Sequence, residues 1–436
     1  MTIIGPCTYL AATVTDDDQT LTSPMPSLAP DAAPWLCLTI QWHPEPQRIG
    51  QQCFGPAGEG TLALNRFLPL FQSPGEAGAG LGHRCVSRSP LQLQRASDGS
   101  VTVCAPDSRM AVRIDGVPLD GSRRLTADQV RRGAVLELGG LVVLCLHWMR
   151  ALPAPVQVPA MLGVGSAALA LRAQILQAAR TDFPVLLLGE TGTGKEVAAR
   201  AIHAAGARRD KPWVAVNMAA MNEALAAAEL FGAARGAYTG AQTARPGLFA
   251  EAADGTLFLD EIGDTPPTVQ PMLLRVLESG EYRPLGGQGT LQSRARLIAA
   301  TDRNLAERGF NQALLRRMEA FVIHLPPLRE RREDIGVLVL SVLREWAAAH
   351  GGWPALPAAL VAAMCRHDWP GNVRQLLHTV RRALVALDGR GAGNAAEAGV
   401  AGIWTLPDLP ASVSPAAQAP EEAAPPGAPA AEGLAT

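Results

Sequence analysis

None of the seven cysteines stands in a CxxC pair, and HExxH does not occur. The ligand spacing of a structural or catalytic zinc site is therefore missing. The thiols are scattered at positions 7, 37, 53, 85, 104, 145 and 365, which fits reduced cysteines in a cytoplasmic protein better than a disulfide framework. The N-terminal stretch MTIIGPCTYL lacks the basic residues of a secretory leader. The apolar run 141–146 falls far short of the ~20 residues that a membrane span needs, so no membrane partner is expected. A charge excess is missing as well. The chain has 38 Lys and Arg against 40 Asp and Glu, a formal net charge of −2, so no broad basic field marks a nucleic-acid surface.

What is present is enough apolar material for real cores. The chain has 436 residues, 48% hydrophobic and 18% charged, and at ~150 residues per unit that suggests about three units. Residues 1–33 are polar and Pro-rich and read as a disordered lead-in. Residues 34–149 carry short strands and turns. Val101-Thr-Val-Cys104 follows "ASDGS", and Asp115-Gly116 and Gly139-Gly140 each separate two apolar runs. These are hairpin signals and predict an all-β sandwich. "RALPAPVQVPA" reads as a Pro-rich linker over 150–160.

From Met161 onward, apolar strands at 185–188, 213–216, 257–259 and 296–299 alternate with helical patterns. That alternation predicts an α/β core with a parallel sheet over 161–328. Residues 329–388 hold helices only: "EDIGVLVLSVLREWAAAH" stops at Gly351-Gly352, "PAALVAAMCRHDW" at Pro370, and "NVRQLLHTVRRALVAL" near Gly389. They form a helical lid in this reading. Residues 389–436, rich in Ala and Pro, read as a disordered tail.

Chemistry concentrates in the α/β core. "VLLLGETGTGKEVAARAIHAAG" is a strand, a Gly-rich loop and a helix. Gly189, Glu190, Thr191, Gly192, Thr193, Gly194 and Lys195 form the loop, whose backbone N–H groups converge on phosphate oxygens while Lys195 reaches the β- and γ-phosphates of ATP. Glu196 stands where a hydroxyl residue usually follows the lysine. In "GTLFLDEIGD" an apolar strand ends in Asp260-Glu261. Asp260 is expected to hold Mg²⁺ and Glu261 to activate water. Asn217 closes "WVAVN", Thr301-Asp302 closes "RLIAA", and Arg374 opens a lid helix in "WPGNVRQL". Each of these three alone is more often a cap or a surface residue; their order along the chain raises them.

The whole pattern over ~161–388 resembles the AAA+ domain of sigma-54-dependent transcriptional activators, the bacterial enhancer-binding proteins. The matching stretches include "GETGTGKE", "ELFGAARGAYTGA", "GTLFLDEIGD", "LPPLRERREDI" and "WPGNVRQL". In that family Glu196 is ordinary. The resemblance implies an ATPase that assembles as a homo-oligomeric ring, a hexamer, and remodels sigma-54 RNA polymerase. It implies that Gly236, Ala237, Tyr238, Thr239, Gly240 and Ala241 tip the loop that grips sigma-54, with Tyr238 in place of the usual phenylalanine. Glycines there permit backbone change, and an exposed aromatic supplies contact energy.

This sequence departs from the family at several points. Arg317 matches the second of two arginines that reach a neighbour's ATP, whereas Asn311 replaces the first and Ala313 a usual aspartate. Asp302 replaces an asparagine. A helix-turn-helix is not visible after "IWTLPDLPASV", so no direct specific DNA binding is expected. Two alternatives stay open: a hydrolysis-poor relative that modulates another activator's ring, and an AAA+ remodeller of a different client.

The N-terminal unit is similar to forkhead-associated domains, which bind phosphothreonine. "LNRF" offers Arg66, "VSRSPL" offers Ser87 and Arg88, and "IDG" offers Asp115. A guanidinium with a hydroxyl suits a phosphate dianion, so a phosphothreonine protein is an expected partner; a β-sandwich that serves only as scaffold is the alternative.

Overall fold

The computed structural model describes residues 34–151, 158, 160–237, 242–306, 309–354 and 356–388. The expected lead-in, most of the linker and the tail lie outside the described residues, as do Tyr238, Thr239, Gly240 and Ala241. The chain divides into two units, Met1–Arg382 and Ala383–Thr436. Of the second, only 383–388, the end of a helix, is described.

The N-terminal part is a β-sandwich. Its strands are β1 (Trp35–Trp42), β2 (Gln52–Phe54), β3 (Gly60–Leu64), β4 (Leu91–Arg95), β5 (Val101–Cys104), β6 (Val112–Ile114), β7 (Val117–Pro118) and β8 (Ser122–Leu125). The short helix α1 (Ala127–Arg132) leads to β9 (Ala134–Leu138) and β10 (Val142–Met149). One sheet has the order β2-β1-β10-β9-β6-β7, the other β3-β4-β5-β8. The hairpins turn where Asp115-Gly116 (φ 51° and 82°) and Gly139-Gly140 (φ 55° and 69°) supply two successive left-handed residues, the geometry that matches strand twist.

Period-2 alternation places Leu36, Leu38 and Ile40 of β1 in the sandwich core with Leu144 and Leu146 of β10. The opposite face is buried too. Cys37, Thr39, Gln41, Cys145 and His147 are at most 1% exposed. A sandwich strand normally leaves one face to water, so something covers this one.

The α/β part follows: α2 (Ser166–Ala179), β11 (Val185–Leu188), α3 (Lys195–Ala205), β12 (Trp213–Asn217), α4 (Ala226–Phe231), α5 (Leu248–Ala252), β13 (Thr256–Asp260), α6 (Gln270–Ser279), β14 (Glu281–Tyr282), β15 (Leu291–Gln292), β16 (Arg296–Thr301), α7 (Gln312–Met318) and β17 (Val322–His324). The central sheet runs β12-β13-β16-β11-β17, every pair parallel. Phe258 on β13 points to one face, among Leu171, Ile175 and Ile202 of α2 and α3. Its neighbours Leu257 and Leu259 point to the other, with Leu230, Phe231 and Phe249. The register sets Asn217 beside Asp260 and Leu188 beside Thr301, so the carboxyl ends of four strands line up, which is where open α/β sheets bind ligands.

The lid comprises α8 (Ile335–His350), α9 (Ala358–Arg366) and α10 (Asn372–Asp388). α9 stops four residues short of the Pro370 boundary that the sequence suggests. Trp369 has a left-handed backbone (φ 51°), its N–H donates to His367 Nδ1 and its indole N–H to the Met364 carbonyl, so the chain leaves the helix after Arg366 and buries Trp369 instead of making a last helical turn. The six cysteines described are free thiols. No helix among the described residues is long and apolar enough to cross a membrane.

Phe258 is 1% exposed and stacks on Trp213 at 5.6 Å. Phe258→Ala is expected to lower the stability of the α/β unit by about 3–5 kcal/mol through lost burial and a residual cavity, measured by denaturant unfolding; a loss below about 1 kcal/mol contradicts this packing.

Candidate functional site

A cavity of about 340 Å³ opens at the carboxyl ends of the sheet. Thr191, Gly192, Gly194, Lys195, Glu196, Asn217, Asp260, Glu261 and Arg374 line it. Nine of the residues singled out in the sequence therefore face one space. Gly192 (φ 80°) and Gly194 (φ 104°) take left-handed turns that bring the loop back onto the first turn of α3. A side chain at 192 would meet the Gly371 carbonyl at 2.4 Å, so the glycine also lets the lid sit close.

Lys195 is 7% exposed. Its ammonium donates to the Gly189 carbonyl at 2.9 Å and lies 3.7 Å from Glu261. Burial raises the pKa of both Asp260 and Glu261, and Lys195 pulls both down. Glu261 holds a left-handed backbone (φ 52°), a costly conformation for a non-glycine residue and one that clusters at functional sites. Its N–H donates to Asp260 Oδ1, which ties the two acids together. Asn217 accepts from Ala219 N–H at 2.9 Å; its side-chain oxygen caps the short turn after β12.

The remaining residues sit as follows. Thr193 donates to the Glu190 carbonyl and closes the loop on itself. Glu196 accepts from Arg200 one turn on. Asp302 accepts from the Thr191 hydroxyl at 2.7 Å, so a carboxylate is hydrogen-bonded to the loop itself. Arg317 is not among the cavity residues; it lies on α7, 3.4 Å from Glu278. Asn311 caps α7, its Oδ1 accepting from Ala313 and Leu314 N–H.

Three residues that sequence reasoning did not single out hold the loop. Arg329 makes a two-pronged ion pair with Glu190 at 2.6 and 2.8 Å. Arg331 donates to the Thr193 carbonyl at 3.1 Å. Asn372, fully buried, donates to Glu190 Oε2 and the Thr191 carbonyl and accepts from Leu328 N–H. The run "LRER" right after the last core strand and the asparagine after "WPG" were the available signals.

At the second candidate region Gly236 (φ 78°) is open on its Cβ side. The loop that it enters is pinched at its base: Ala233 and Arg245 exchange two 2.9 Å backbone bonds, and Ala234 N–H reaches the Leu285 carbonyl. Ala237 donates to the Ala234 carbonyl. In the β-sandwich, Arg66 spends its guanidinium on the Val86 and Arg84 carbonyls, and its N–H bonds Ser87 O. The Ser87 hydroxyl accepts from Ser89 N–H, and Arg88 is exposed. Asp115 takes different partners: Oδ1 accepts from Val135 N–H, and the neighbouring Gly116 faces Arg366 of the lid. Arg66 and Ser87 are thus brought together by a backbone bond, while Asp115 turns its hairpin and holds Val135.

Fold and site together define an AAA+ module: a glycine-rich loop between strand and helix, two acids at a strand end and a helical lid. Residues 161–324 match the family described as the Sigma-54 interaction domain, and residues 329–392 the AAA+ ATPase lid domain. Relatives include the transcriptional regulatory protein ZraR of Salmonella typhimurium, 44% identical over 238 residues, covering 52% of this chain and 53% of that protein. The DNA-binding transcriptional regulator NtrC of Rhizobium meliloti is 45% identical over 208 residues, 47% of this chain and 43% of that one. The chain spans about half the length of the curated relatives that it matches. Among solved structures, NtrX from Brucella abortus aligns with a TM-score of 0.48 at 33% identity, covering 52% of each chain.

The Glu190 carboxyl is pulled down to about 2, chiefly by its bonds to Arg329 and Asn372. Because the folded value lies below the unfolded one, the pair stabilises above the ordinary carboxylate range, and that contribution disappears as pH falls toward 2. Thermal melts of wild type and Glu190→Gln should therefore differ at neutral pH and converge in acid; a gap that is constant with pH means that the pair does not hold the loop.

Proposed function

We propose that the chain is an ATP-driven remodeller of sigma-54 RNA polymerase, acting in the cytoplasm as a homo-oligomeric ring of six subunits. The observation that carries this is the cavity that Lys195, Asp260, Glu261 and Arg374 line together, built from stretches that match the Sigma-54 interaction domain and the AAA+ ATPase lid domain. Loop N–H groups and Lys195 bind the phosphates of ATP, Arg374 senses the terminal one, and Glu261, oriented by Asn217, takes a proton from the attacking water. Asp260 fits a Mg²⁺ site, a half-buried carboxylate on the same cavity wall as Lys195; Mg²⁺ supplies charge to the phosphate oxygens when bound. Arg317, outside its own subunit's cavity, serves the neighbouring one.

In this proposal residues 236–241 contact sigma-54, with Tyr238 as the anchor. The base of that loop is held on the core by the Ala233–Arg245 backbone pair and the Ala234–Leu285 bond. The β-sandwich is forkhead-associated-like and takes regulatory input, with Arg66, Ser87, Arg88 and Asp115 as its candidates for a phosphopeptide. A second reading, a hydrolysis-poor relative that joins another activator's ring, draws on Asp302 and Asn311. The first adds a negative charge at the loop, and the second is committed to capping α7 in place of a guanidinium. A steady-state ATPase assay separates the two.

Lys195→Ala should weaken ATP binding at least about tenfold, whereas Glu261→Ala should keep binding and lose turnover by about 10²-fold or more; wild-type turnover in Glu261→Ala removes the role given to that carboxylate. For the client, a photo-crosslinker placed at Tyr238 in the ATP-loaded ring should capture sigma-54. Labelling of core polymerase alone would move the proposal to a different client.

A further inference from the structure

The buried outer face of the large sandwich sheet lies against the lid, and the fit is close. A Cβ on Gly336, in the first turn of α8, would stand 2.6 Å from the Gln41 carbonyl oxygen and 2.7 Å from its Cα. A Cβ on Gly50 would stand 2.5 Å from a Val337 methyl, and one on Gly133 3.2 Å from the Arg332 Cβ. Between these contacts Gln41 is fully buried, with both ends of its amide used. Nε2 donates to the Glu333 carbonyl at 2.8 Å, and Oε1 accepts from Gly336 N–H at 2.7 Å. At the edge, Arg366 of α9 pairs with Glu137 of β9 at 2.6 Å.

Helix starts leave N–H groups without intrahelical partners, and a side chain normally caps them. Asp334, at the N-cap of α8, makes no such bond. Its carboxylate instead accepts from Val164 and Gly165 N–H at 2.7 and 2.8 Å. The cap is supplied by Gln41, from a strand nearly three hundred positions away.

The clamped segment is the one whose other side grips the phosphate loop, through Arg329 on Glu190 and Arg331 on the Thr193 carbonyl. Hydrogen bonds and packed backbone therefore run from β1 through 328–336 to the loop 189–195. We propose that Gln41 is a positioning residue of the nucleotide site: the β-sandwich is a brace that holds the lid segment, and through it Arg329 and Arg331, on the phosphate loop. The proposal rests on the nucleotide-binding role argued above for its second readout only.

The test uses the full chain in three forms besides wild type. Gln41→Leu removes both latch bonds at similar volume. Gly336→Ala favours the α8 helix in itself, yet its methyl collides with β1 backbone, so it opens the interface without weakening the helix. Arg366→Ala loosens only the edge. Amide hydrogen exchange is followed in peptides covering 36–42, 189–195 and 328–336, and the affinity for fluorescently labelled ADP is titrated. Both latch variants should raise exchange in all three segments and weaken labelled-ADP binding about five- to tenfold, in keeping with the loss of one or two buried hydrogen bonds. The double variant should be no weaker than the weaker single one, since both break one latch. Arg366→Ala should change the loop little. If exchange rises at 36–42 and 328–336 while 189–195 keeps wild-type protection, the brace does not reach the loop and the proposal fails. Should Gln41→Leu not fold, Gly336→Ala decides by the same criterion. If wild type does not bind labelled ADP, the ATPase reading fails, and the exchange of 189–195 still decides the brace.

Discussion

Asn372 is fully buried, in a left-handed turn (φ 53°), and its amide joins three pieces of chain that are far apart in sequence. It accepts from Leu328, at the start of the lid, and donates to Glu190 and Thr191 in the phosphate loop. A buried amide with unmet partners costs free energy, so each bond helps to enforce the other two. The Glu190–Arg329 ion pair lies on the same carboxylate. The loop is thus shaped by its glycines and held by the lid, and the cavity that Lys195, Asp260 and Glu261 face exists only where those two agree.

The same economy appears on the sandwich side. β1 and β10 are buried on both faces, as central strands of a parallel sheet are, although their sheet is antiparallel. One face is aliphatic and closes the sandwich. The other carries Cys37, Thr39, Gln41, Cys145 and His147, small or polar groups, three of which are hydrogen-bonded through their side chains. Thr39 bonds His147 and Gln52, Gln52 reaches the Val164 carbonyl, and Gln41 caps α8. Burial drives the His147 imidazole down to about 4, which keeps it neutral in this network. Full satisfaction of such groups fixes one arrangement, where a greasy face would allow sliding.

Two positions that depart from the familiar motif are hydrogen-bonded into their surroundings. Asn311 caps α7 with two backbone bonds, so the residue that lacks a guanidinium still starts its helix. Asp302 accepts the Thr191 hydroxyl, a bond that an asparagine oxygen also makes; what changes is the charge beside Glu261, whose pKa Asp302 helps to raise. In both cases the side chain is hydrogen-bonded locally, and its charge differs from that of the residue the family pattern implies.

The sequence alone was enough for the alternation of strands and helices, the hairpins at Asp115-Gly116 and Gly139-Gly140, and the loop 189–195 with its two acids, because those signals are local: periodicity, paired left-handed turn residues and a strand–loop–helix spacing. Hydrophobic period carries β13 to Asp260 whatever surrounds it. The early stop of α9 was not legible, since a left-handed Trp369 is imposed by its burial and not by propensity. Nor was the bond from Val135 N–H to the Asp115 carboxylate, which joins residues twenty positions apart. Least legible of all was the docking of sandwich on lid. In a lone strand, Cys37, Thr39 and Gln41 read as the wet side of an alternating pattern, and a Pro-rich segment reads as a tether between free domains. Only the tertiary structure brings Gln41 to the orphan N–H of Gly336, because the complementarity that buries an amide belongs to two segments almost three hundred residues apart, and neither carries it alone.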